Sequence, residues 1–268
     1  IMLASAFSDF AKMLRFYSRL PMPVLAFEAD PHGLPDFSRA VWAVAVAGAT
    51  IGAAGALLGF AAYLAGLSTL LAATLTIAAL VIITGAFHED GLADSCDGLW
   101  GGATRERRLE IMKDSRVGTF GAAGLALSLA LRIFALAELF RLVGPMAFLL
   151  VIGIGAVSRP LALLPTLFLP PATETGLAAS VPMPGTGGLA LAILIGLALL
   201  AGATYTVDLL PGLAVSLAVL VVVLMIAIRI ARHKIGGHTG DILGACQQLG
   251  EITLLVGLSA AANWHGPV

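Results

Sequence analysis

Charge and cysteine are both scarce in this 268-residue chain. Charged residues make up 12% of it, about half the roughly 25% of a soluble domain. A water-soluble helical core of this size would lack the polar surface to cover its apolar helices. The two cysteines, Cys96 and Cys246, form no C-x-x-C pair, which excludes a disulfide framework and a cysteine zinc site. A net charge of −1 gives no basic excess for a nucleic-acid partner, so none is expected. No repeat of fixed period and no composition break marks a second domain. A cleavable signal is not expected either, because Lys12, Arg15 and Arg19 sit inside the first apolar segment and not ahead of it.

What is present is apolar length. Hydrophobic residues make up 59% and mean hydropathy is +0.99. Several uncharged stretches approach or exceed the roughly 20 residues that cross a bilayer. The expected fold is all-α: one polytopic membrane-embedded bundle over residues 1–268, with spans near 41–63, 67–87, 119–140, 145–166, 188–207, 211–229 and 241–262. Ahead of them, Leu3, Ala6, Phe7, Phe10, Met13, Leu14 and Tyr17 recur at helical spacing between polar residues. That pattern predicts an interfacial amphipathic helix within 1–22, stopped by Pro21 and Pro23. Gly48, Gly52, Gly55 and Gly59 share a face of the first span and predict close helix packing. Arg132 and Glu138, in the third span, are expected to face the interior.

Of the 15 Lys and Arg residues, 12 lie in the N-terminal segment, in 88–118 or in 229–234. Alternate crossings put all three on one side, and positive loops stay inside. Residues 88–118 are therefore expected to be a cytoplasmic catalytic loop on a cytoplasmic (inner) membrane.

That loop opens with "HEDGLADSCDG", which places Glu89, Asp90, Asp94 and Asp97 within nine residues. Asp90, Asp94 and Asp97 are spaced i, i+4, i+7, within about 60° of arc on a helix. Two carboxylates about 5 Å apart repel by roughly 3 kcal/mol at an effective dielectric near 20. A cation answers that repulsion; a solvated acidic helix end is the plain alternative. Oxygen ligands on one face suit Mg²⁺, with Mn²⁺ as a substitute, and Mg²⁺ completes its shell with water and substrate phosphate. "HEDGL" is not the H-E-x-x-H zinc motif, since Leu92 holds the second histidine position. Gly98, Gly101 and Gly102 are expected to break the helix.

Further along, Thr104 is expected to cap a short helix carrying Arg105, Arg107 and Arg108. Anionic lipid is the alternative target of that basic group. Lys113, Asp114 and Arg116 then arrive together, cations suited to phosphate beside one more acid. "GGHTGD", Gly236 to Asp241, offers backbone N–H groups at a helix start, through Gly237 and Thr239, where an anion could sit. Asp241 either caps that helix or takes part in the site. Arg159 adds a cation near the cytoplasmic end of the fourth span.

"HEDGLADSCDG", "EIMKDSRVGTFG" and "GGHTGDILGA", together with the opening "FYSRLPMP", resemble the signature segments of the cobalamin synthase (adenosylcobinamide-GDP ribazoletransferase) family, in order and at similar spacing. The resemblance implies a Mg²⁺-dependent transfer of a cobinamide-phosphate group from adenosylcobinamide-GDP to α-ribazole or its 5′-phosphate, with GMP leaving, in the bacterial cytoplasmic membrane. Carried onto this chain, it makes Glu89, Asp90, Asp94 and Asp97 expected metal ligands and Asp97 or Asp114 the expected base. Lys113, Arg116, Arg159, Gly237, Thr239 and Asp241 become expected substrate contacts. A homo-oligomer is compatible with this reading. The CDP-alcohol phosphotransferases share the logic, but Asp94 stands where their D-G-x-x-A-R motif has arginine. A transporter, the reading from another class, would place its ionisable residues midway along broken spans and not at one surface.

Overall fold

Helix α1 (Met2–Tyr17) is the amphipathic helix the spacing predicts, with Met13, Leu14 and Tyr17 buried. The computed structural model describes residues 2–28, 30–31 and 33–265. After α1, Arg15 pins the turn that follows by a bidentate pair with Glu28 at 2.8 Å. A short α2 (Phe37–Ala40) leads into α3 (Trp42–Leu64), α4 (Thr69–Thr84), α5 (Phe87–Gly101), α6 (Arg105–Met112), α7 (Thr119–Val143) and α8 (Ala147–Ala162). Two single-turn helices, α9 (Pro165–Phe168) and α10 (Leu177–Ser180), lie in the next connection, before α11 (Thr186–Tyr205), α12 (Leu210–Ile235) and α13 (Gly240–His265).

Each of the seven expected spans is helical, as α3, α4, α7, α8, α11, α12 and α13. By length and apolarity, five continuous stretches can cross a membrane, and a sixth can if α4 and α5 are taken together across their 88° bend. One of the five, Thr119–Phe168, is 50 residues long and holds both α7 and α8. It doubles back. Phe140 of α7 stacks on Tyr63 and Phe148 of α8 packs on Phe60, both near the end of α3, whereas Gly155 of α8 lies against Gly48 near its start. The second span is shorter than expected: α4 has 16 residues, about 24 Å at 1.5 Å per residue, against a hydrocarbon core of about 30 Å.

Helix α3 sits between α8 and α4. A Cβ on Gly48 or Gly52 would strike the α8 backbone, and one on Gly55 or Gly59 would strike Leu80 or Thr76 of α4. The predicted glycine face therefore serves two neighbours. In lipid there is no hydrophobic drive between helices, so this backbone-to-backbone contact is what holds them. Outward, Val215, Val219, Val222 and Met225 of α12 and Leu191 and Leu194 of α11 are exposed, as lipid-facing surface should be. Arg132 is buried as expected. Glu138 is not an interior group: it is half-buried and pairs with Arg141 one turn on, near the end of α7, where Arg141 also reaches Asn263.

Candidate active site

The break between α4 and α5 creates the site. Gly85 ends α4 in the left-handed region (φ 66°), and Ala86 follows it there (φ 59°). The chain then restarts as α5 at 88° to α4. The acids thus lie along a helix laid across the N-terminal parts of α7 and α13. Gly98 and Gly101 do not end α5, contrary to expectation; the helix runs through both and Gly102 caps it. Gly98 is needed where α5 meets α6, since a Cβ there would strike Met112. Thr104 caps α6 as predicted, accepting from the Arg107 N–H at 3.3 Å.

Helix α5 crosses α13 at glycines. A Cβ on Gly91 would stand 3.0 Å from the Asp241 carbonyl oxygen and 3.2 Å from the Gly244 Cα. This approach brings the carboxylates of two sequence-distant segments together. Asp90 is exposed, Asp94 half-buried and Asp97 buried. Burial first, then the neighbouring charges of Asp90, Asp241 and Asp97, push the Asp94 carboxyl up to about 7. Thr239 donates its hydroxyl to Asp241 Oδ2 at 3.1 Å and accepts from the Ile242 N–H at 3.3 Å. The cap of α13 is therefore Thr239, which leaves Asp241 facing the cluster.

The other acids have protein partners. Asp97 accepts from the backbone N–H groups of Gly118 (2.7 Å) and Gly121 (2.8 Å), at the positive end of the α7 dipole. Glu89 is one side of a buried ion-pair system. Arg132 Nη1 lies 2.8 Å from Glu89 Oε1, and Arg132 Nε lies 3.1 Å from Glu251. Gln248 accepts from Arg132 and from Ser128, and Gln247 links Ser158 to Glu251. Among the described residues no three His, Cys, Asp or Glu side chains are drawn together tightly enough to form a finished metal site.

The expected phosphate contacts separate. Lys113 and Arg116 are exposed in the turn before α7, where Arg116 pairs with Asp114 at 2.7 Å. The Arg116 side chain and N–H hold the Asp114 carboxyl down at about 2. Gly118, in the same turn, bonds to Asp97 and ties it to α5. Arg159 is buried; its Nη1 donates to the Gly155 carbonyl at 3.0 Å and its Nε has no partner among the described residues. No described carboxylate is within ion-pair distance of it. Gly237 is a packing glycine: a Cβ would strike the Pro170 carbonyl, at the point where the His238 N–H donates to the Pro170 carbonyl and the Ala172 N–H to the His238 carbonyl. Arg105 and Arg108 also have protein partners. Arg105 donates to the Ile235 carbonyl (2.8 Å) and Arg108 to that of Lys234 (3.0 Å), so they close the C-terminus of α12.

The cobalamin-5-phosphate synthase family model matches residues 9–259. The chain belongs to the cobalamin-5-phosphate synthase family. It is 43% identical over 265 residues to the adenosylcobinamide-GDP ribazoletransferase of Azorhizobium caulinodans, covering 96% of this chain and 97% of the relative. Proteins of the same name from Allorhizobium ampelinum (42%, covering 94% and 96%) and Xanthobacter autotrophicus (41%, covering 93% and 95%) are similar along nearly their whole length. No solved structure matches.

In this family member, sequence reasoning missed Gln247, Gln248 and Glu251 as partners of Arg132 and Glu89. The signal was present: three polar residues inside an apolar span call for an interior partner.

Proposed function

We propose that this chain catalyses the Mg²⁺-dependent transfer of the cobinamide-phosphate group of adenosylcobinamide-GDP to the ribose of α-ribazole or its 5′-phosphate, releasing GMP, at the cytoplasmic face of the inner membrane. The observation that carries the reading is that Asp90, Asp94 and Asp241 lie near enough, where α5 crosses α13, for their charges to act on one another. An all-oxygen donor set whose central member is pushed to about 7 by burial and by its neighbours fits a divalent cation. Asp90, Asp94 and Asp241 would hold Mg²⁺, with Asp97 close by. Glu89 would act one step back, through Arg132. When bound, Mg²⁺ supplies charge neutralisation to a diphosphate and to a departing GMP.

The chain's own groups do the rest. Lys113, and Arg116 on leaving Asp114, would reach phosphate oxygens from the exposed turn that Gly118 anchors beside the cluster. Arg159, buried and short of one hydrogen-bond partner, offers a fixed positive charge from below. Attack by a ribose hydroxyl needs its proton removed. Asp97, within the acid group, fits that part better than Asp114, which is bound to Arg116 and ionised down to about 2. Thr239 orients Asp241 through its hydroxyl.

Asp94→Asn is expected to reduce GMP release by more than about 100-fold, at or beyond the loss from removing a partner of a metal ligand. The assay is GMP release from adenosylcobinamide-GDP with α-ribazole and Mg²⁺ in detergent. Near-normal turnover by this variant would remove Asp94 from the site. Release of CMP from a CDP-alcohol, with no GMP, would overturn the reading in favour of a phospholipid-synthesis reaction.

A further inference from the structure

Beside the α5–α13 crossing is a cleft whose wall is aromatic. Phe16 and Tyr17 end α1, Phe37 opens α2, and Phe87 and His88 open α5. Phe16 meets Phe37 and Phe87 nearly edge-on at 5.5 Å, and Tyr17 stacks on His88 at 5.7 Å. Apolar side chains such as Met183 complete the lining. Gly240 and Gly244 of α13 form part of the wall, and Gly240 directly precedes Asp241. The cleft has a cavity volume of ≈ 50 Å³ and is open to the surface on one side.

The hydrogen-bonding side chains in this lining are Tyr17 and His88, both buried and facing each other. The reaction proposed above brings two bases to the site. Guanine carries donors and acceptors along its outer edge, and burying them without partners is costly. A benzimidazole carries none on its six-membered ring and keeps the stacking and the apolar gain. We propose that this cleft takes the benzimidazole base of the ribazole acceptor and rejects purine bases, an inference that rests on the transfer reaction argued above. Specificity of this kind comes from a polar edge left unpaired more than from added attraction.

The test uses full-length protein in liposomes, with α-ribazole and its adenine counterpart as acceptors. Met183→Gln places an amide in the lining at nearly constant volume. It is expected to raise KM for α-ribazole about tenfold, to narrow the preference over the adenine acceptor, and to leave KM for adenosylcobinamide-GDP unchanged. A shift in the donor's KM with the acceptor's unmoved would seat guanine here and overturn the proposal. Unchanged values for both substrates would overturn it as well. Should the variant fold poorly, wild-type protein photolabelled with an azidobenzimidazole riboside supplies the second reading. Label on the Phe16–Tyr17 or Met183 peptide, displaced by α-ribazole and not by GMP, supports the assignment; displacement by GMP alone sinks it. Absence of GMP release by the wild type would remove the reaction itself and this inference with it. Normal release with no base preference would remove only the assignment of the cleft.

Discussion

Glu89 and Asp94 are both carboxylates on α5, five residues apart, and their surroundings give them opposite parts. Glu89 faces a guanidinium that is 1% exposed and shared with Glu251. Removing one member of such a system leaves the rest incompletely compensated in a low-dielectric interior. Glu89→Gln is therefore expected to destabilise the folded protein by about 3 kcal/mol, seen as a lower thermal unfolding midpoint in detergent. Asp94 faces other acids, and Asp94→Asn relieves repulsion. Its unfolding midpoint should hold or rise even as turnover is lost. A fall in that midpoint comparable to that of Glu89→Gln would show that Asp94 has a structural partner and is not poised for a cation.

At the scale of elements, the site depends on a helix that stops and restarts. Neither α4 nor α5 supplies the arrangement alone; the 88° turn at Gly85 and Ala86 lays the acids across α13, and Gly91 lets the two helices touch. Gly91→Val is expected to force the crossing apart at a cost of about 1–3 kcal/mol, typical of overpacking, and to lower GMP release far more than it lowers the unfolding midpoint. Helix α6 behaves differently. Arg108 closes the end of α12 by one hydrogen bond to the Lys234 carbonyl. Arg108→Ala should cost about 1–2 kcal/mol of stability and leave KM for the guanine-nucleotide donor near wild type. A large rise in that KM would return Arg108 to the phosphate contacts.

Across the whole molecule, α3, α7, α11 and α13 start at the face to which α4, α8 and α12 return. That face holds α1, α5, α6 and most of the basic residues. If it is the inner face, a cysteine replacing Arg116, introduced with Cys96→Ser and Cys246→Ser, should react with a membrane-impermeant maleimide only in inside-out vesicles. One replacing Met146, exposed at the opposite end, should react only in right-side-out vesicles. The reverse pattern would invert the orientation.

What the amino-acid order determined by itself was the all-α membrane class, the rough places of the seven long helices, the amphipathic α1 and the gathering of acids and most basic residues at one end of the bundle. All of these follow from local quantities: the length of apolar runs, the 3.6-residue period and the distribution of Lys and Arg. Tertiary structure decided the division of labour among like residues. Asp97 turned to the N-terminus of α7, Glu89 to Arg132, Arg105 and Arg108 to the carbonyls of α12, and Asp90 and Asp94 toward Asp241, far away along the chain. Spacing along one helix tells which side chains share a face. It carries no information about which distant element will pack on that face, and that packing sets whether a carboxylate meets an N–H, a guanidinium or another carboxylate.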